Sequence, residues 1–128
     1  MKTIIIAVLL SISVSAISQV NIELKDVLKH IGDSVQLYGV IYGGKYLENV
    51  KGSPTYLNVG ADYPNAPLTL VMLGSVRNNY WKHTPETSLI GKDCLIFGKL
   101  ELYKDKPQIV IYSSKQLLEP AKVDVKQN

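Results

Sequence analysis

The chain alternates apolar and polar positions in five short segments, which is the period of strands with one buried face. In residues 34–42, for example, Val35, Leu37, Gly39 and Ile41 alternate with Ser34, Gln36, Tyr38 and Val40. Similar segments follow, separated by turns rich in glycine, proline and polar residues: 55–59, 68–73, 92–103 and 107–112. The pattern predicts an all-β domain with five strands.

Three other regions lack this alternation. Residues 23–30 carry apolar side chains at helical spacing and end before Gly32, so we predict a short helix with one face on the core. Residues 74–91 predict a helical turn or an irregular crossover between the third and fourth strands. Residues 113–120 predict a short helix or turn that closes the domain.

This order of elements favours an OB-fold, a small five-stranded Greek-key barrel, here with short flanking helices. The first and fourth predicted strands are long, and each has a glycine near its middle, Gly39 and Gly98. We expect these glycines to relieve the steric cost of bending a long strand around a small barrel. An SH3-like barrel and a sandwich fragment are the alternatives, although a sandwich needs about seven strands.

The N-terminus has the pattern of a secretory signal peptide. Lys2 gives a positive start, residues 3–14 form an apolar run, and small residues follow. The run is shorter than the roughly 20 residues that span a bilayer. We predict cleavage after Ser18 in preference to Ala16, and hence an exported protein in the periplasm or outside the cell.

Cleavage after Ser18 would leave one domain at residues 19–120 and a polar tail at residues 121–128, which we expect to be disordered. Loss of Lys2 with the signal lowers the formal charge from +3 to about +2. A charge of this size permits a polyanionic partner but does not require one. We expect no stable membrane span once the signal peptide is removed.

No pattern in the chain points to catalysis, to a metal or to another cofactor. The two histidines, His30 and His83, have no second ligand at metal-binding spacing. Ser113 and Ser114 have no adjacent base and no nucleophile elbow. The single cysteine, Cys94, lies in an apolar segment, so we expect a buried and unreactive thiol. The sequence therefore predicts a non-catalytic protein.

Several motifs, taken together, resemble a group of small exported bacterial OB-fold domains, some of which are fused to secreted nucleases. They are "KGSPTYLN" at 51–58, "DYPNAPLTLVM" at 62–72 and "LIGKDCLIFGKLELYKDKPQIVI" at 89–111, and the resemblance covers residues 24–117. It implies an OB-fold of nucleic-acid-binding type. The chain departs from that group after the third strand, where Leu73 replaces an aromatic residue and Trp81 appears later.

OB-folds bind single strands on the second and third strands, between the loops that join strands one and two and strands four and five. Aromatic side chains stack on bases there, and lysine or arginine contacts phosphates. The chain has eight tyrosines and one tryptophan against one phenylalanine, a composition suited to half-exposed positions. The candidates, in chain order, are Lys45, Tyr46, Lys51, Tyr56, Asn58, Tyr63, Arg77, Trp81, Tyr103, Lys104 and Lys106.

These residues predict a module that binds single-stranded DNA or RNA without catalysis. The alternatives are a module of the cell envelope that binds a protein or an oligosaccharide, and an accessory subunit of a secreted nuclease. The export signal and the modest charge favour the envelope module. The salt dependence of binding distinguishes the envelope module from a nucleic-acid-binding module, because phosphate contacts weaken steeply with salt.

Overall fold

The computed structural model describes residues 19–120, and the predicted signal peptide and C-terminal tail lie outside these residues. The strands are β1 (Val20–Asn21), β2 (Ser34–Tyr46), β3 (Thr55–Val59), β4 (Leu68–Met72), β5 (Asp93–Lys99), β6 (Glu101–Tyr103), β7 (Lys106–Val110) and β8 (Leu117–Leu118). Two α-helices, α1 (Gly74–Tyr80) and α2 (Pro85–Ser88), and two 3-10 helices, Leu24–His30 and Ser114–Gln116, flank them.

The strands close into a barrel. Hydrogen bonding follows the order β6-β7-β4-β3-β2-β5-β8, and β1 adds to β2. Because only Leu100 separates β5 from β6, these two strands are halves of one long strand whose ends pair with β2 and with β7. Strands β4 and β7 are parallel, whereas the other pairs of long strands are antiparallel. The prediction of an all-β, five-stranded OB-fold barrel is confirmed.

The first long strand, β2, is shared between two parts of the barrel. Its first half pairs with β5 as far as Val40, and its second half pairs with β3 from Ile41 onward, with a shift of register before Gly43. A Cβ atom at Gly39 would lie 2.3 Å from Val59 Cγ1 across the interior. The strand can therefore bend inward at this position only because the residue has no side chain.

The second bend lies in β5. Gly98 has a φ of 154°, and a Cβ atom there would lie 2.4 Å from Cγ2 of Ile109 on β7. The glycine lets β5 cross close to β7 before the chain turns into β6. Both glycines that the sequence assigned to bends therefore stand at close approaches inside the barrel.

The barrel interior holds one apolar core to which each long strand contributes its inward-facing positions. Cys94 is part of it and is fully buried, as expected. Burial raises the pKa of the Cys94 thiol to about 11, so the thiol is protonated and unreactive at neutral pH. The largest fully buried side chains are Leu37, Ile41, Leu57, Leu68, Leu70, Met72, Leu89, Ile96, Leu100, Ile109, Ile111 and Val35.

The structure refines three of the elements predicted from the sequence. The first strand continues to Tyr46 instead of ending at Tyr42, because β3 pairs with it through the glycine pair that interrupts the alternation. The predicted helix is a 3-10 helix that buries Val27 but leaves Leu28 68% exposed, since three residues per turn cannot keep both on one face. The crossover at residues 74–91 contains α1 and α2.

Replacement of Gly98 by alanine tests the bend. We expect Gly98→Ala to lower the free energy of unfolding by about 2–4 kcal/mol, because the new methyl group meets Ile109 and the backbone conformation disfavours side chains. Gly91→Ala is the control, since Gly91 also has a positive φ of 80° but no atom within 4 Å of the added Cβ. Urea unfolding measures both. Equal losses in the two variants would contradict the close-approach argument.

Candidate functional site

The outer face of the barrel carries a row of half-buried polar side chains across three adjacent strands. Strand β3 buries Thr55, Leu57 and Val59, so the alternate residues Tyr56 and Asn58 face outward. Asn58 is paired with Thr69 on β4, and Thr69 is paired with Gln108 on β7. We refer to Asn58, Thr69 and Gln108 as the polar row.

A second row lies beside it and is aromatic and apolar. Tyr56 is paired with Lys45 on β2 and with Val71 on β4, and Val71 is paired with Val110 on β7. Paired residues lie about 5 Å apart, so the Lys45 side chain can reach the edge of the Tyr56 ring. The polar row, together with Tyr56 and Lys45 of the second row, forms the floor of the site.

Two turns form its walls. Lys104 and Asp105 have positive φ values of 49° and 64°, which is the geometry of a tight two-residue hairpin between β6 and β7. The Lys104 ammonium lies 5.4 Å from the centre of the Tyr103 ring, and the Lys106 ammonium lies 5.7 Å from the centre of the Tyr63 ring. The second contact links the hairpin to the turn between β3 and β4.

Floor and walls enclose a cleft of about 780 Å³, a volume within the range of known small-molecule sites. It brings together seven of the eleven residues proposed from the sequence: Lys45, Tyr56, Asn58, Tyr63, Tyr103, Lys104 and Lys106. The remaining lining residues are Gly43, Gly44, Asp62, Thr69, Ile90, Pro107 and Gln108.

The chemistry of the cleft is aromatic and amide-rich, with a small positive charge. Its three tyrosines each have a lysine nearby, and Asp62 is the one carboxylate among the lining residues. Within residues 19–120, no side chain of the polar row makes a hydrogen bond to the protein. The floor therefore offers hydrogen-bonding groups to a ligand, and the walls offer ring faces and cations.

Arg77 does not belong to this surface, contrary to the sequence prediction. Its side chain is buried, donates to Thr55 Oγ1 at 3.0 Å and to Glu86 Oε1 at 3.0 Å, and makes a second bond to the same carboxylate. The guanidinium carbon lies 3.7 Å from the centre of the Tyr46 ring. Arg77 thus joins α1 and α2 to the strands, since its guanidinium carries enough donors for several partners.

Tyr46 is also removed from the proposed surface, because the Arg77 guanidinium covers its ring. Lys51 is exposed in the turn between β2 and β3 and does not line the cleft. Trp81 follows α1, packs against the apolar core and meets Tyr80 edge to face, with 6.2 Å between ring centres. It is therefore a packing residue and not a residue of the cleft.

Sequence reasoning missed Thr69 and Gln108. The alternation of β4 and of β7 marks each as an outward position, and this signal was available in the sequence. What the alternation does not specify is the register between the parallel strands β4 and β7, which sets Thr69 beside Gln108. The polar row is visible only once that register is known.

Comparisons with known proteins support the fold. A chain of the crystal structure of yeast Stn1 and Ten1 superimposes with a TM-score of 0.56 at 9% identity, over 83% of this chain and 65% of that one. A protein assigned as an aspartyl-tRNA synthetase of Leishmania major superimposes with a TM-score of 0.51 at 7% identity, over 84% of this chain and 22% of that one. The chain thus spans less than two thirds of either neighbour.

No protein-family model and no curated protein matches the sequence. Among residues 19–120, no helix has the length and apolar character needed to cross a bilayer. The same residues contain no cluster of three or more histidine, cysteine or carboxylate side chains placed to hold a metal ion.

The Arg77–Glu86 pair makes a prediction about pH. Hydrogen bonding from Arg77 holds the pKa of the Glu86 carboxyl below its ordinary value, so ionised Glu86 stabilises the fold at pH values above that ordinary pKa, and this stabilisation is lost as the pH falls through the lowered pKa. We expect Glu86→Gln to lower the free energy of unfolding by about 1.5–3 kcal/mol at pH 7.

Urea unfolding of wild type and Glu86→Gln between pH 7 and pH 3 measures this, and the difference between the two proteins should shrink toward the acid end. The exposed Glu101 provides the control, because Glu101→Gln should change stability little at any pH. A Glu86→Gln difference that is constant with pH would show that the pair does not act through the carboxylate charge.

Proposed function

We propose that the cleft binds single-stranded nucleic acid without catalysis. The observation that carries this proposal is the placement of three tyrosine–lysine pairs around one cleft on the outer face of an OB-fold barrel. Stacking on aromatic rings together with cations for the backbone is the chemistry by which such barrels hold single strands.

Each pair has a distinct position. Tyr56 lies on the floor and offers its ring to a base, with Lys45 beside it for a phosphate. Tyr63 and Tyr103 lie on the two turns that wall the cleft, where a strand that crosses the floor can stack on either ring. The wall lysines lie over these rings and can turn toward phosphates, since a lysine side chain is a flexible point charge.

The comparisons support the nucleic-acid class at the level of the fold. One structural neighbour carries in its name a tRNA substrate. The motifs shared with exported OB-fold domains point to the same kind of ligand, while their link to secreted nucleases suggests a nuclease as a protein partner. Fold alone does not determine function, so the proposal rests chiefly on the cleft itself.

Binding should depend only moderately on salt. At most three lysines of the cleft meet phosphates, and a single strand contributes a slope of about −0.7 for each neutralised phosphate. We therefore expect a plot of log K against log salt with a slope of about −2 or shallower. Lys106→Ala should reduce the slope by about 0.7, and the exposed Lys115, outside the cleft, provides the control variant. A slope of about −4 or steeper would mean that another basic surface binds the strand.

The tyrosine on the floor is the most direct test. A labelled single-stranded DNA of mixed sequence, about 12 nucleotides long, should bind residues 19–128 at low salt, and Tyr56→Ala should weaken binding roughly 5- to 100-fold through loss of stacking. Fluorescence anisotropy of the label is the readout, because Trp81 packs away from the cleft.

Tyr38→Ala is the control, since Tyr38 is an exposed strand tyrosine that does not line the cleft. Equal loss of affinity in both variants would place binding elsewhere. No binding at about 50 µM protein in low salt would rule out the proposal, since even non-specific nucleic-acid binders have Kd values of about 1–100 µM at physiological salt and bind more tightly at low salt.

An oligosaccharide of the cell envelope is the second candidate. Tyrosine faces beside unpaired amide and hydroxyl groups also suit a sugar ring, and the excess of positive charge in the cleft is small. An oligosaccharide that binds with no salt dependence, in a protein that fails to bind DNA and RNA, would favour this function. If the ligand is instead an envelope protein, the cleft variants should not change the binding of either the nucleic acid or the oligosaccharide.

We also propose that the protein is exported, on the evidence of its N-terminal sequence, and that it is bacterial, on the evidence of the resemblance of its motifs. Expression of all 128 residues in a bacterial host should yield a mature protein in the periplasm or the medium that begins at Gln19. Mass spectrometry of each fraction measures the cleavage site. A protein that keeps residues 1–18 and stays in the cytoplasmic fraction would contradict the proposal.

A further inference from the structure

We infer that the polar row reads the hydrogen-bonding edge of a nucleobase, so that the cleft discriminates among bases instead of holding any single strand alike. This inference rests on the proposed function of the same cleft and adds to it the recognition of particular bases. Asn58, Thr69 and Gln108 would supply that recognition, while the tyrosines and lysines hold the strand.

The geometry of the polar row suits recognition of the hydrogen-bonding edge of a base. Its three side chains stand in register on neighbouring strands, each about 4.8 Å from the next, on the outward face. Two amides and one hydroxyl along one line present donors and acceptors side by side, and paired amide contacts are the way proteins read base edges. Gly43 continues the line on β2, and the carboxylate of Asp62 lies over it, with Oδ1 2.8 Å from where a Cβ atom would stand.

The groups of the row are available to a ligand. None of the three has a hydrogen-bond partner within the described part of the chain, and each is only partly exposed in the floor of the cleft. A ligand that enters the cleft removes water from them. A base whose edge matches the row restores the lost hydrogen bonds, and a base that does not match leaves polar groups unpaired.

The stacking tyrosine lies where this reading requires it. Tyr56 and Asn58 are two residues apart on β3 and therefore lie on the same face, about 6.6 Å apart along the strand. A base stacked on Tyr56 can direct its edge toward Asn58 and the rest of the row. Because this distance is short, a base that stacks on Tyr56 also lies within reach of the hydrogen-bonding groups of the polar row.

The small net charge of the cleft also favours recognition of the bases. Three lysines and the carboxylate of Asp62 leave a net excess of about two positive charges for the backbone. Binding that relies on so few phosphate contacts must draw much of its strength from the bases, since phosphate contacts dominate only where many cations line the groove.

The test compares three labelled homopolymers, oligo(dA), oligo(dC) and oligo(dT), each about 12 nucleotides long, at moderate salt. Wild-type protein should prefer one of them roughly tenfold or more over the weakest, as expected for a single paired base contact. Asn58→Leu or Gln108→Leu should reduce that ratio to about threefold or less by weakening the preferred oligonucleotide, and Tyr56→Ala should weaken all three together.

Gln36→Leu is the matched control, because Gln36 is a half-buried strand amide outside the cleft, paired with Phe97. Stacking within each free oligonucleotide is the same for every protein, so the change in the ratio is the readout. Equal binding of the three by wild type, or a ratio unchanged in both row variants, would overturn the inference and leave the proposed function intact. Absence of binding to any homopolymer and to the mixed sequence would overturn both.

Discussion

The close crossing of β5 over β7 at Gly98 is the constraint on which the rest of the structure depends. With no Cβ atom to meet Ile109, the chain bends through Leu100 into β6, and β6 then pairs with β7. That pairing closes the barrel and fixes the hairpin at Lys104 and Asp105 beside the turn that holds Tyr63. The walls of the cleft are therefore a consequence of one close approach in the interior.

Arg77 and the lysines of the cleft have different roles, the first in the fold and the others at the surface. Arg77 is buried and has its charge met by Glu86 and its donors by Thr55, so it serves to hold the crossover helices against β3. Within residues 19–120 the lysines of the cleft form no ion pair, and two of them lie over tyrosine rings, so they keep their charge for a ligand. The difference follows from chemistry, since a planar guanidinium suits several fixed partners and a lysine ammonium suits a mobile one.

Much of the barrel was predictable from the sequence, because strand alternation and the two bend glycines are local signals. Tyr56, Asn58 and the hairpin lysines were also predictable, since an OB-fold places the second strand and the hairpin at the binding face. The length of β2, the burial of Arg77 and the packing of Trp81 were not, because each depends on a partner distant in the chain. The parallel register that aligns Thr69 with Gln108 was also not predictable, because it depends on two strands that are distant in the chain.

The Arg77–Glu86 pair stabilises the barrel and also holds in place β3, the strand that carries part of the cleft floor. Arg77 bonds Thr55, the inward-facing first residue of β3, and the next outward residue of that strand is Tyr56. A floor side chain holds a base in a defined orientation only if its strand does not shift relative to its neighbours. The crossover between β4 and β5, which the alternation left undefined, therefore stiffens the strand that carries both the stacking ring and the amide of Asn58.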